Sequence, residues 1–200
     1  MTYFMVVAKR LAGLISSFRL QSFFLFLLTL MMAIEEKGAV LYIVAGLIFI
    51  VKVYLIPMFL RHVAKRIKTN ENLGLFINPQ LSLFAALGLT YLSYLFTFKV
   101  FPLADKVQSA SFALSLCVTL VGLFIMIFRM KALTQIIGLM VMENGLFLSA
   151  AAVSRGMPFL VEIAIFLDVL VSVIILGVFV YRINALFTHI DVSKLKHLKG

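Results

Sequence analysis

Two hundred residues and 22.4 kDa would ordinarily make one soluble domain, but 64% of the residues are hydrophobic and only 13% are charged. A soluble domain carries about 25% charged residues, so a chain with a mean hydropathy of +1.14 needs lipid to cover its surface. The net charge of +10 speaks for orientation in a membrane rather than for nucleic acid, because basic residues beside the spans set topology.

From the N-terminus, Met1–Ala8 is apolar but closes at Lys9-Arg10, too short to cross alone. Its charges follow the apolar stretch instead of preceding it and no cleavage site comes after, so it does not read as a signal peptide. Leu11–Ile34 reads as a helix interrupted by Arg19 and Gln21. Ala39–Leu60, Leu81–Phe98, Ala110–Phe128, Leu133–Val153 and Phe159–Tyr181 follow, each near the ~20 residues that cross ~30 Å of hydrocarbon. Their continuous apolarity lacks the alternation of a membrane barrel. The expectation is an all-α integral membrane protein, a multi-span helical bundle of about seven transmembrane helices with the first one short, or six in the alternative. Its parts are the N-terminal helices over 1–109, a three-helix unit over 110–181 and a basic tail over 182–200.

The loops alternate between rich and poor in basic residues. Lys9 and Arg10 open the Leu11 helix, and Glu35, Glu36 and Lys37 close it; the next loop holds Arg61, Lys65, Arg66 and Lys68. Lys99, Asp105 and Lys106 come after Phe98, Arg129 and Lys131 after Phe128, and Arg155 alone after Val153. The tail carries Arg182, Lys194, Lys196 and Lys199. This places the rich loops and the C-terminus in the cytoplasm of a cell bounded by this membrane. The tail reads as an orientation anchor or as a docking strip for a cytoplasmic partner. A faint internal repeat brackets two helices between Lys9 and Arg61 and two more between Arg129 and Arg182.

Four ionisable residues fall deep within the expected spans: Lys52, Glu143, Asp168 and, nearer one end, Arg19. Each costs ~2.5–3.5 kcal/mol at the bilayer centre on insertion scales, so it faces protein or water, and an ion or proton path is the default reading. The alternative is an inert Lys52–Glu143 pair that locks two helices together. Desolvation opposes the charged form of a carboxyl and a nearby cation favours it, a balance that suits proton uptake and release. Arginine keeps its charge, so Arg19 sets a field or anchors the helix. Glu162 follows Gly156-Met157-Pro158 in a first helical turn, where proline fits and the helix dipole favours an acid; capping and proton entry are both open to it.

Cofactor chemistry finds no holders in the chain. His62, His189 and His197 fall at the expected cytoplasmic face, and the single Cys117 cannot build an iron–sulfur site. Cys117 reads as a small buried hydrophobe. There is no GxxxxGK, HExxH or GxSxG. The phenylalanines (20) and methionines (10) are packing residues first.

Four stretches resemble the hydrogenase-4 component E family of membrane subunits, which belong to group 4 nickel–iron hydrogenases and formate hydrogenlyases related to respiratory complex I. They are Ile50-Val51-Lys52-Val53 with Leu55-Ile56-Pro57, then Met142-Glu143-Asn144-Gly145, then Met157-Pro158-Phe159-Leu160-Val161-Glu162-Ile163 with Phe166-Leu167-Asp168, and the ending from Leu186 to Gly200. From about Ala110 the chain is also similar to the small NuoK subunit of complex I and its antiporter relative MrpC. Glu143 then matches the first membrane glutamate of that subunit, and Asp168 stands at the second.

The resemblance implies a non-catalytic subunit without a cofactor of its own that passes protons or shapes the path for them. The nickel–iron centre and iron–sulfur clusters would lie in peripheral hydrogenase subunits, and antiporter-like and quinone-site-like membrane subunits would be its neighbours in the lipid. Two other readings remain: a subunit of a multisubunit sodium/proton antiporter, and a passive spacer.

Overall fold

The computed structural model describes residues 1–8, 10–36, 39–66, 78–100 and 105–153, with positions 171 and 174 beyond them. The expected span Phe159–Tyr181, with Glu162 and Asp168, and the tail over 182–200 lie outside the described residues. Within them the chain forms α1 (Thr2–Val7), α2 (Leu11–Glu36), α3 (Ala39–Ile48), α4 (Ile56–Arg66), α5 (Pro79–Leu95), α6 (Lys106–Phe128) and α7 (Ala132–Val153). A π-helical stretch over Phe49–Leu55 joins α3 to α4, and another over Phe96–Val100 extends α5.

Five of the described rods are long and apolar enough to cross a membrane: α2, the α3–α4 rod, α5 with its extension, α6 and α7. The protein is therefore an all-α, multi-span membrane bundle. The short first helix corrects the larger count. At six residues and about 1.5 Å per residue, α1 rises about 9 Å, against the ~30 Å of a hydrocarbon core. With the expected last span included, the bundle stands nearer six crossings than seven.

What α1 does instead is dock. Met5 and Val6 are buried in the main apolar core beside Leu14, Phe18 and Ile125. Tyr3 shares a 2.6 Å hydrogen bond with Thr90 of α5, whose hydroxyl lies 3.2 Å from the buried Cys117 thiol of α6. The end of α1 is held by Arg129, which follows α6. Its Nη2 donates to the carbonyls of Met5, Val6 and Ala8 at 2.9, 3.0 and 3.0 Å. Those carbonyls lack intrahelical partners, and a cation there also meets the negative end of the helix dipole. Burial draws the Arg129 guanidinium down to about 10, still far enough above neutrality for it to hold its charge.

The π stretch in the α3–α4 rod has a local cause. Pro57 has no N–H, and its ring clashes with the carbonyl four residues back. The chain widens just before it: the Ile56 N–H bonds to the Val51 carbonyl, five residues away instead of four. Asn78 and Pro79 open α5, with proline in the first turn but no side-chain cap bond. Asp105 caps α6 by accepting from the Val107 N–H at 3.4 Å.

The closest helix pair is α6 with α7, and glycine makes it so. A Cβ on Gly122 would strike the backbone nitrogen of Met142 and stand 2.7 Å from its Cα. One on Gly138 would come within 2.9 Å of the Met126 Cα, and one on Gly145 within 2.8 Å of the Thr119 Cα. Small residues let backbones meet this way where lipid supplies no hydrophobic drive between helices. Side chains then stitch the seam: Ser149 donates to Ser115 at 2.8 Å, and Gln108 to the Ala152 carbonyl at 2.9 Å.

Two apolar cores stack along the bundle. One gathers Phe18, Ile56, Met140 and Val141 with the α1 residues; the other gathers Leu25, Ile48 and Phe147. On α2, on the α3–α4 rod and on α7 alike, the sequence between the two cores holds polar residues. That layer is the site.

Candidate functional site

Each of three rods supplies part of the layer. The π stretch positions Lys52, α7 positions Glu143 and Asn144, and α2 positions Ser22; their relative exposures are 1%, 7%, 0% and 0%. Lys52 Nζ donates to Asn144 Oδ1 at 2.9 Å and lies 3.7 Å from Glu143 Oε2. Asn144 in turn donates through Nδ2 to Ser22 Oγ at 3.3 Å. The result is a chain of polar contacts from α2 through α7 to the π stretch, with apolar packing on either side.

The wide turn matters for this geometry. A π turn carries an extra residue, so side chains before and after it keep helical facing while those inside are re-aimed. Lys52 lies in its middle, next to the buried Val53. Asn144 contacts the ammonium by direct hydrogen bond, whereas the carboxylate stands beyond hydrogen-bond length. Two unit charges about 4 Å apart attract by about 4 kcal/mol at an effective dielectric of 20. Taking the two ions out of water costs several kcal/mol each, so the pair depends on the polar contacts that surround it.

Of the residues singled out in the sequence, Lys52 and Glu143 are brought together from distant parts of the chain. Arg19 is not part of their cluster. It is exposed on α2 and borders a cleft with Arg61, His62 and Lys65 of α4. Asp168 and Glu162 lie outside the described residues. Sequence reasoning passed over Asn144 and Ser22 as partners, although an amide in mid-span, adjacent to a glutamate, is itself a signal that a polar partner must be near. It also took Arg129 for an orientation charge alone and missed that this side chain holds α1. Among the described residues no group of three or more His, Cys, Asp or Glu side chains could hold a metal ion.

The fold and this layer define a class: a multi-pass helical membrane protein with a lysine, a glutamate and an asparagine joined at its centre. The chain is 32% identical to hydrogenase-4 component E of Escherichia coli over 153 residues, which cover 76% of this chain and 70% of that protein. Hydrogenase-4 component E of Shigella flexneri matches with the same identity and coverage. The chain belongs to the hydrogenase-4 component E family. An uncharacterized protein of Mycobacterium tuberculosis is 32% identical over 123 residues, spanning 62% of this chain and 56% of that protein's length. No family model matches the chain, and no solved structure matches it.

Proposed function

We propose that this chain is a cofactor-free membrane subunit of an energy-converting hydrogenase related to complex I, and that its polar layer carries protons. The observation that carries the reading is the buried cluster of Lys52, Glu143, Asn144 and Ser22, in which a carboxylate and an ammonium lie 3.7 Å apart. Family membership supplies the setting. Glu143 takes and returns a proton while Lys52 stabilises its charged form, and Asn144 keeps Lys52 aimed between excursions. Asp168, one helix further on in the sequence, continues the path, as the second membrane carboxylate does in the NuoK-like arrangement. Glu162 and Arg19 are accessory to it.

In this reading electrons never enter the chain. The nickel–iron centre and iron–sulfur clusters belong to peripheral subunits, and antiporter-like and quinone-site-like subunits flank this one in the cell membrane, with its C-terminus in the cytoplasm. The test is proton uptake by vesicles holding the whole complex, scored against hydrogen production in the same sample. Glu143→Gln keeps shape but cannot ionise; most coupled proton movement should disappear while hydrogen production and assembly persist. Unchanged coupling in an intact complex would leave the helix-locking role as the function of the pair. Proton movement without any associated hydrogenase would favour a sodium/proton antiporter subunit.

A further inference from the structure

Arg19 stands outside the cluster of Lys52 and Glu143, and its neighbours include further basic residues. It lines a cleft of about 380 Å³ with Arg61, His62 and Lys65. Val53, Tyr54, Pro57 and Met58 complete the wall, and among the described residues no acidic side chain borders it. Arg61 is held toward α2 by donating to Ser16 Oγ at 3.3 Å. The cleft continues into a trough of about 500 Å³ that shares Arg19, Val53, Tyr54 and Arg61 and runs on past Leu20, Phe23 and Phe49. A concentrated positive end thus opens into an apolar groove, at the level where the α3–α4 rod ends.

We propose that this cleft holds the phosphate of an anionic membrane phospholipid, with an acyl chain along the trough. The charges select the headgroup. Two guanidinium groups offer planar forks that suit phosphate oxygens, and the lysine adds a mobile point charge. The apolar walls select a lipid over a free anion, since a soluble phosphate would leave the trough unfilled. Basic pockets between spanning helices are suited to anionic headgroups. Helix α4 presents its charges on one side and buries Ile56, Leu60 and Val63 on the other, so the basic row is turned outward by the same packing that builds the core.

The test uses the full chain in a neutral maltoside detergent, with bound lipid counted by native mass spectrometry. Phosphatidylglycerol should be retained at least tenfold better than phosphatidylcholine, and inorganic phosphate at millimolar concentration should not displace it. Each basic group near an anionic headgroup is worth about a fivefold preference, so Arg19→Gln with Arg61→Gln should weaken retention about twenty-five-fold. Lys106→Gln, a basic residue at the start of α6 and outside the cleft, should leave it unchanged. Equal retention of the two lipids by the unaltered chain overturns the proposal, and this comparison needs no variant to fold. Displacement by inorganic phosphate also overturns it, in favour of a free-anion site. Cross-links from Lys65 to a neighbouring subunit, with no lipid retained in the whole complex, overturn it in favour of a protein partner.

Discussion

At the scale of single residues, the pair of Lys52 and Glu143 is better understood by what each does to the other than by its own charge. Removing one member of a buried ion pair strands the other and typically costs about 3–5 kcal/mol, whereas replacing both with apolar groups is often nearly neutral. Lys52→Met should therefore lower the thermal stability of the chain in detergent by several degrees, and Lys52→Met with Glu143→Leu should recover most of the loss. A double variant as unstable as the sum of the singles would mean that the two do not interact. Both residues were visible in the sequence because charge in mid-span is expensive. Their meeting was anticipated as one option; the hydrogen bond from Lys52 to Asn144 was not. An amide carries no charge, so the cost of burying charge in mid-span does not single it out.

At the scale of helices, hydropathy and length located the rods well. Leu11–Ile34 became α2 (Leu11–Glu36), and Leu133–Val153 became α7 (Ala132–Val153). The stretch after Leu60 continues as α4 to Arg66. What could not be read was the π turn, since hydrophobic periodicity does not register one extra residue when every neighbour is apolar; only Pro57 hinted at it. Nor could the fate of α1 be read, because three carbonyls held by a residue more than 120 positions away leave no local pattern. The glycine seam was equally hidden: Gly122, Gly138 and Gly145 look like ordinary glycines until α6 and α7 are laid together. Its strength is open to measurement. Cysteines in place of Ser115 and Ser149, whose oxygens lie 2.8 Å apart, should oxidise to a disulfide in a Cys117→Ser background. Adding Gly122→Leu forces the backbones apart, a change of the overpacking kind that costs about 1–3 kcal/mol, and should abolish the cross-link. Persistent cross-linking would show that the seam tolerates a side chain there.

At the scale of the whole molecule, orientation rests on the loops. If the basic-rich loops face the cytoplasm, as the charge rule implies, a cysteine at Lys65 or at Lys196, again without Cys117, should resist a membrane-impermeant thiol reagent in intact cells and react once the cells are opened. Labelling of either in intact cells would reverse the topology. Within that frame the two halves of the polar layer are mounted differently. Glu143 rides on α7, which glycine contacts bind to α6 as one stiff beam. Lys52 rides on a rod interrupted at its own position by a π turn and, just beyond, by a proline. The beam gives the carboxylate a fixed address, and the interrupted rod is the expected place for a hinge under the ammonium, so a cycle that opened and closed the gap would be geared to one side. Spin labels placed on α6 and α7 should keep their separation during turnover of the complex, while labels on α4 and α7 should not. Any motion of that kind would then be a lever's, with Pro57 as its fulcrum and Glu143 as its stationary jaw.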